Sequence, residues 1–159
     1  MSNPEFFQIV SAVAEYAQTA PHLDELEGFI VAQIARLPQY NWVGFYMLDP
    51  ADAGMLELGA FVGAPTQHTR IPVSRGICGA AVAQGLTIVV DDVQADPRYL
   101  ACSLETRSEI VVPIRAAGKI VGEIDIDSHA DAAFGPQDRD FLESCAEIVG
   151  AFIERRAEN

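Results

Sequence analysis

Cysteine and histidine, the side chains that build most metal centres and disulfide scaffolds, are scarce: the 159 residues include three of each. No close pair of cysteines or histidines accompanies Cys78 or Cys102, which makes a zinc site a poor explanation for these thiols. The odd number of cysteines also argues against a disulfide scaffold. The first residues, Met1 to Glu5, lack the basic region and the apolar stretch of a secretory signal. We therefore expect reduced thiols in a cytoplasmic protein.

Basic residues and long apolar runs are also few. The chain has 10 Lys and Arg against 23 Asp and Glu, which gives a formal net charge of −13 and a pI near 4.4. Because such a surface repels phosphate groups, we expect neither nucleic-acid nor membrane partners. No apolar run approaches the roughly 20 residues of a membrane helix. Hydrophobic residues make up 50% of the chain, enough for a full core, and residues 1–159 are predicted to form one domain.

Hydrophobic periodicity predicts helices at both ends of the chain and antiparallel strands between them. The predicted helices cover residues 5–19, 23–37, 76–84 and a final segment that begins at Gly135-Pro136. The predicted strands cover residues 41–48, 55–62, 69–73, 87–90, 109–115 and 119–127, with a long polar connection over 91–108. This order favours a mixed α/β (α+β) fold in which an antiparallel sheet carries the N- and C-terminal helices on one face.

The last two predicted strands form the clearest hairpin. Their connection has three residues and ends in Gly118, which fits a type I turn followed by a left-handed residue. That register sets Arg115 opposite Lys119, and it sets Glu109 opposite Asp125. One face of the hairpin is then apolar and is assigned to the core. Its members are Ile110, Val112, Ile114, Ile120, Ile124 and Ile126.

The other face of the hairpin is acidic and carries Glu109, Glu123, Asp125 and Asp127. Residues two apart in a strand point the same way, and like charges opposite each other are unfavourable. Solvent, a cation, or a proton held at a raised pKa would relieve this repulsion. One interpretation is an exposed, solvated face. The other is a pocket for an ammonium group in which one carboxyl acts as an acid.

The first predicted strand adds aromatic rings. Trp42, Gly44 and Tyr46 alternate onto one face, so Gly44 leaves a gap between two large side chains. Core side chains would fill such a gap in an ordinary sheet. A small ligand's apolar or sulfur-bearing group would fill it in a binding site.

The three cysteines lie in different settings. Cys78 is at the start of the short helix, where the helix dipole favours a thiolate. Cys102 is in the long polar connection, seven residues before Glu109, and Cys145 lies on the apolar stripe of the last helix, which indicates packing. A protease-like Cys/His pair with His68 or His129 stays open, although no local signature supports it.

A thiol beside acids suits the reduction of a sulfoxide. A thiolate attacks the sulfur while an acid protonates the oxygen, which ends as water. The attacking thiol passes through a sulfenic acid, and a second thiol then closes a disulfide. This chemistry makes Cys102, with Glu109, Asp125 and Asp127, the candidate site.

Five segments together resemble a known enzyme family. They are Asn41-Trp42-Val43-Gly44-Phe45-Tyr46, Arg75-Gly76-Ile77-Cys78-Gly79-Ala80-Ala81, Leu100-Ala101-Cys102, Ser108-Glu109-Ile110-Val111-Val112-Pro113-Ile114 and Gly122-Glu123-Ile124-Asp125-Ile126-Asp127-Ser128. In order and spacing they are similar to the free methionine-R-sulfoxide reductases, single-domain enzymes of the GAF fold. The resemblance implies reduction of free methionine-R-sulfoxide, regeneration by thioredoxin, a homodimer formed through the terminal helices, and no metal or organic cofactor.

The resemblance also implies roles for individual residues. Cys102 matches the attacking cysteine, and Cys78 matches a second cysteine that takes part in regeneration. Trp42 and Tyr46 match aromatic residues that line the pocket. The acids that hold the substrate amine and assist departure of the oxygen are matched by Glu109, Asp125 and Asp127.

Three positions depart from the family pattern. His68 stands where many members have a third cysteine, which makes Cys78 the best candidate for the resolving thiol. Around the nucleophile, Tyr99 and Ser103 replace a His and an Asp. Because most GAF domains are sensors, the alternative function is a non-catalytic module that binds a small ligand or senses redox state.

Overall fold

The computed structural model describes residues 3–100 and 104–157 of the chain. The helices are α1 (Pro4–Ala17), α2 (Leu23–Ile34), α3 (Gly76–Gln84) and α4 (Pro136–Ala157), with a short 3-10 helix at Val93–Ala95. The strands are β1 (Trp42–Asp49), β2 (Asp52–Val62), β3 (Arg70–Pro72), β4 (Ile88–Val90), β5 (Ser108–Ala116) and β6 (Lys119–Ser128). Every predicted helix and strand is present. Within the described ranges no helix is both long and apolar enough to cross a membrane.

The six strands form one antiparallel sheet in the order β3-β2-β1-β6-β5-β4. One side, which we call the helix face, is covered by α1, α2 and α4. Its core includes Val43 and Phe45 of β1 and Ile124 and Ile126 of β6, all fully buried. The predicted fold class, an antiparallel sheet with the terminal helices on one face, is therefore confirmed.

The opposite side, which we call the site face, is covered by α3 and the segment before β5. A smaller apolar cluster lies there around Tyr46, Ile77 and Val111. Strand alternation explains the division, because each strand sends every second side chain to each face. Cys145 lies fully buried on the helix face, as its predicted packing role requires.

The predicted register of the β5–β6 hairpin is wrong by two residues. The turn has two residues rather than three, because Ala117 (φ 53°) and Gly118 (φ 78°) both adopt left-handed backbone. Two positive φ angles match the right-handed twist of a hairpin. Glu109 consequently faces Asp127 rather than Asp125. A shift of two residues keeps the acids on their predicted face, so the acidic face survives.

The shorter turn shifts the register by one residue, and a bulge in β6 shifts it by one more. Arg115 pairs with Ile120, whereas Ile114 pairs with Gly122, which leaves Val121 as the extra residue. Val121 therefore packs against the helix-face core, and Ile120 does not. The assignment of Ile120 to the core face is corrected on this ground.

Glu27 of α2 is a buried acid on the side of the sheet covered by the terminal helices. Its side chain is 4% exposed, and its Oε1 accepts a hydrogen bond from the backbone N–H of Ala60 at 3.3 Å. Burial raises the pKa of Glu27 from 4.5 to about 7, partly opposed by the bond from Ala60. The folded protein therefore holds a proton on Glu27 that the unfolded chain releases above pH 4.5.

We predict that Glu27→Gln stabilises the protein increasingly as the pH rises from about 5 to 8. The raised pKa makes the wild type lose stability through this range, whereas Gln has no charge to bury and keeps an acceptor for Ala60. The gain at pH 8 should be about 1–3 kcal/mol. Urea unfolding at several pH values measures it. Glu25→Gln, at an exposed position of the same helix, is the matched control and should give a small, flat difference. A Glu27→Gln difference that does not grow with pH contradicts the prediction.

Candidate active site

Three neighbouring strands bring the acids and the aromatic residues together on the site face. In the β1–β6 pairing, Trp42 lies opposite Asp127, Gly44 opposite Asp125, and Tyr46 opposite Glu123. Residues directly opposite in an antiparallel pair share a face. Because Glu109 of β5 pairs with Asp127 on the other edge of β6, the predicted acids form one contiguous cluster.

The acidic cluster is buried rather than solvated. Glu109 is 5% exposed, Asp125 3%, Asp127 4% and Glu123 0%. An exposed hairpin face is therefore excluded as the explanation of these four acids. Carboxyl groups at such depth need protons, hydrogen bonds or a cation.

Cys78 covers this cluster from α3. Its Sγ donates to Oδ2 of Asp125 at 3.4 Å. Burial raises the pKa of the Cys78 thiol well above its usual value, and the charges of Asp125, Glu123 and Glu109 raise it further. The prediction that Cys78 favours the thiolate is therefore wrong, because burial among acids raises its pKa more than the helix dipole lowers it. The groups acting on Cys78 are carboxyls, so a protease-like Cys/His pair has no support at this thiol.

The carboxyls of β6 hold protons more tightly than exposed acids do. Burial raises the pKa of Asp125 and of Asp127, and the charge of Asp125 adds to the effect on Asp127. Hydrogen bonds with Glu109 oppose the rise at both positions. Glu109 is thus hydrogen-bonded to two carboxyls whose pKa values are raised, and a raised pKa is a property that a general acid requires.

Glu123 belongs to the site, although the sequence interpretation left it out of the functional set. Burial raises its pKa well above the usual value, and the neighbouring Cys78 partly offsets this. Within the part of the chain that the structure describes, neither carboxyl oxygen of Glu123 has a hydrogen-bond partner of normal geometry. The same holds for Oδ1 of Asp125 and Oδ1 of Asp127. The sequence signal that could have identified Glu123 as a site residue is its position on the predicted acidic face of β6.

Trp42 itself fills the gap over Gly44. A Cβ at position 44 would lie 2.3 Å from the indole ring. The ring is held by a hydrogen bond from its Nε1 to the carbonyl of Ala64 at 3.0 Å and by stacking on Phe61, with centroids 5.7 Å apart. The centroids of Trp42 and Tyr46 are 6.3 Å apart, so the two rings form one aromatic wall beside the acids.

Position 68 supports this wall through its backbone. The hydroxyl of Tyr46 donates to the carbonyl of His68 at 2.7 Å, which fixes the buried phenol. A small cleft opens beside the wall and reaches Asp127. It is lined by Asn41, Trp42, Ala64, Pro65, Thr66, Glu105, Thr106, Asp127 and His129. Of the acidic cluster, Asp127 lines this cleft, so the cleft adjoins the cluster on the Asp127 side.

Two residues named from the sequence, Cys102 and Ser103, lie outside the described residues. The segment before them is described. Tyr99 is half-buried, and the side chain of Leu100 packs on Gly76 at the start of α3, where a Cβ would lie 2.9 Å from it. The connection before β5 therefore contacts the start of α3. The contact joins Leu100, two positions before Cys102 in sequence, to Gly76, two positions before Cys78.

Comparison with known proteins agrees with this fold. The family model described as GAF domain matches residues 23–153. Protein YtsP of Bacillus subtilis is 42% identical over 136 residues, which cover 84% of this chain and 82% of YtsP. The free methionine-R-sulfoxide reductase of Escherichia coli is 39% identical over 107 residues, 67% of this chain and 62% of that protein. The free methionine-R-sulfoxide reductase of Neisseria meningitidis, solved with its substrate, superposes with a TM-score of 0.90 at 33% identity over 99% of this chain and 95% of that one.

We predict that Gly44→Ala displaces the indole of Trp42, because the added methyl group would overlap the ring. The chain contains a single Trp, so its emission spectrum should shift and report the displacement directly. Overpacking should lower the free energy of unfolding by about 1–3 kcal/mol. Gly28→Ala in α2 is the matched control, since a Cβ there meets nothing within 4 Å. It should leave the emission unchanged and stabilise the helix by up to about 1 kcal/mol. An unchanged emission spectrum in Gly44→Ala contradicts the prediction.

Proposed function

This chain belongs to the GAF family and has free methionine-R-sulfoxide reductases among its relatives; from that premise we propose that it reduces free L-methionine-(R)-S-oxide to L-methionine. One observation carries the proposal: a thiol and several protonatable carboxyls are buried together against an aromatic wall. The reaction needs an anionic place for an ammonium group, an acid for the departing oxygen, and thiols that take up the oxidation.

The carboxyl oxygens account for binding of the amino group. Oδ1 of Asp125 and Oδ1 of Asp127 are buried acceptors, and an ammonium group is a donor that would satisfy both. Burying a positive charge is favourable only beside compensating negative charge. We propose that Asp125 and Asp127, with Glu109, hold the substrate's ammonium group, while Trp42 and Tyr46 line the space for its sulfur-bearing side chain.

The raised pKa values account for departure of the oxygen. A carboxyl whose pKa is raised by burial holds a proton that it can donate to the sulfoxide oxygen as the sulfur is attacked. Hydrogen bonds join Glu109 to Asp125 and Asp127, so a proton given up by one of these carboxyls can be replaced from another. We assign the acid role to this set as a unit.

The two thiols take different roles in the proposal. Cys102 attacks the sulfoxide sulfur, and the sulfoxide oxygen passes to it as a sulfenic acid. Cys78 then attacks the Cys102 sulfur, water leaves, and a disulfide forms. Cys78 suits the later step because the Asp125 carboxyl lies 3.4 Å from its Sγ: once the carboxyl set has given a proton to the sulfoxide oxygen, Asp125 accepts the thiol proton as Cys78 attacks.

A dithiol reductant must return the disulfide to two thiols in each cycle. We propose thioredoxin for this role. The cycle requires free thiols between turnovers, which suits the reducing cytoplasm.

We also propose that the chain forms a homodimer through α1 and α4. Phe7 of α1 is 71% exposed, and beside it Phe6 stacks on Phe141 of α4 with ring centroids 4.3 Å apart. A groove lies between these two helices and is lined by Asn3, Phe6, Phe7, Val10, Gln137, Asp140, Phe141 and Ser144. An exposed aromatic ring beside an apolar groove is typical of an interface.

We predict that the purified reduced protein turns over free methionine-R-sulfoxide in a thioredoxin-coupled assay of NADPH consumption. Cys102→Ser should lower the rate to the level without enzyme, because the attacking thiol is lost. Cys145→Ala is the matched control, since Cys145 lies in the helix-face core, and it should keep most of the activity. After a stoichiometric amount of substrate, peptide mapping should find Cys78 joined to Cys102.

Wild-type turnover no faster than that of Cys102→Ser would refute the enzyme proposal. If calorimetry then shows the same ligand affinity in both proteins, the chain is a binding module. A bridge from Cys102 to Cys145, or a sulfenic acid at Cys102 alone, would refute the role given to Cys78.

We expect light scattering to give the mass of two chains for the wild type. Phe7→Glu places a charge in the apolar contact and should shift the mass to one chain. Leu86→Glu, at another exposed apolar position (59% exposed) outside α1 and α4, should stay dimeric. A wild-type mass of one chain would exclude the homodimer.

A further inference from the structure

Three buried side chains on the site face offer ligand atoms to a common point. The Sγ of Cys78 and one carboxyl oxygen each of Glu109 and Asp125 lie within 4.8 Å of one another. We propose that these three residues form a binding site for a divalent transition-metal cation of the zinc type. The proposal goes beyond the reductase function and stands without it, because metal binding needs no sulfoxide and no turnover.

The distances match those around a tetrahedral ion. Zinc binds sulfur at about 2.3 Å and carboxylate oxygen at about 2.0–2.2 Å, which sets the sulfur and oxygen atoms about 3.5 Å apart. The Sγ of Cys78 and Oδ2 of Asp125 are 3.4 Å apart. One edge of the tetrahedron is therefore already in place, and Glu109 needs only a small movement to supply the third ligand.

Glu123 is an independent sign that this place suits a cation. Its carboxyl is 0% exposed and raises the pKa of the Cys78 thiol, yet neither oxygen has a hydrogen-bond partner of normal geometry among the described residues. The ion pairs seen in residues 3–100 and 104–157 include none that involves Glu123, Asp125 or Asp127. A bound cation would neutralise the charge of these buried carboxylates, which otherwise have to bind protons to become neutral.

The donor set selects the class of ion. A thiolate is a soft ligand, and it favours zinc, cobalt or cadmium over magnesium or calcium, which prefer oxygen ligands alone. The sequence argued against zinc because no two cysteines or histidines are close along the chain. Pairing of β5 with β6 and packing of α3 bring the ligands together instead, with Cys78 and Asp125 separated by 47 positions in sequence.

Such an ion would compete with the proposed reaction. It would occupy the Asp125 and Glu109 carboxyls assigned to the substrate, and it would hold Cys78 as a metal thiolate that cannot resolve a sulfenic acid. This consequence rests on the proposed function, whereas the metal site itself does not. Zinc would then act as a reversible inhibitor that a chelator relieves.

The test is titration of the reduced full chain with Co²⁺, which takes zinc positions and shows a thiolate-to-metal absorption band. We expect about one Co²⁺ per chain, a band that grows to saturation, and its displacement by Zn²⁺. Cys78→Ser should abolish the band. Asp125→Asn keeps the shape of its side chain and should weaken binding at least 10-fold, on the order of the loss at other metal sites.

Two cysteine controls assign the thiol. Cys145→Ala and Cys102→Ser should both keep the band, because neither residue belongs to the proposed ligand set. Absence of saturable binding to the wild type would overturn the proposal, as would a band that persists in Cys78→Ser or disappears in Cys102→Ser. Circular dichroism and thermal unfolding check that each variant is folded. If Cys78→Ser does not fold, the result for Asp125→Asn decides, and unchanged affinity there overturns the proposal.

Discussion

Burial of carboxyl groups between the sheet and α3 is the constraint on which the rest of the site depends. Glu109, Glu123, Asp125 and Asp127 are each at most 5% exposed, and an ionised carboxylate at such depth costs several kcal/mol. The protein meets this cost by keeping protons on the site, as the raised pKa values of Glu123, Asp125 and Asp127 indicate. A general acid and an acceptor for an ammonium group follow from the same physical cause.

The two faces of the sheet divide stability and chemistry between them. On the helix face, α1, α2 and α4 bury large apolar side chains, and this burial offsets the cost of the acids on the other side. On the site face, α3 is short and rich in small residues. Its approach is close at Gly79, where a Cβ would lie 2.8 Å from the carbonyl of Val73. The helix α3 also packs on β5 and β6, which brings the Sγ of Cys78 within 3.4 Å of Asp125.

Much of the site was predictable from the sequence because side-chain alternation in a strand has a fixed period. Alternation alone placed Trp42 and Tyr46 on one face and Asp125 and Asp127 on one face. The pKa of Cys78 was not predictable, since it depends on acids of β5 and β6 that are distant in sequence. The place of Glu123 in the site was missed for a related reason. The packing of α3 on the sheet determines how deeply Glu123 is buried, and that packing distance cannot be read from the sequence.

The hairpin shows how local backbone chemistry sets the alignment of the acids. With the two-residue turn alone, Glu109 would face Ile126, and an acid would share a face with a core residue. The extra residue Val121 adds one more step, so Glu109 faces Asp127 instead. Relative to the predicted three-residue turn, the two-residue turn and the bulge each shift the pairing of β5 with β6 by one residue. Either shift alone would place acids opposite core residues, whereas both together keep acids opposite acids. The hydrogen bonds of Glu109 with Asp125 and Asp127 therefore depend on the left-handed backbone at the turn as much as on the acids themselves.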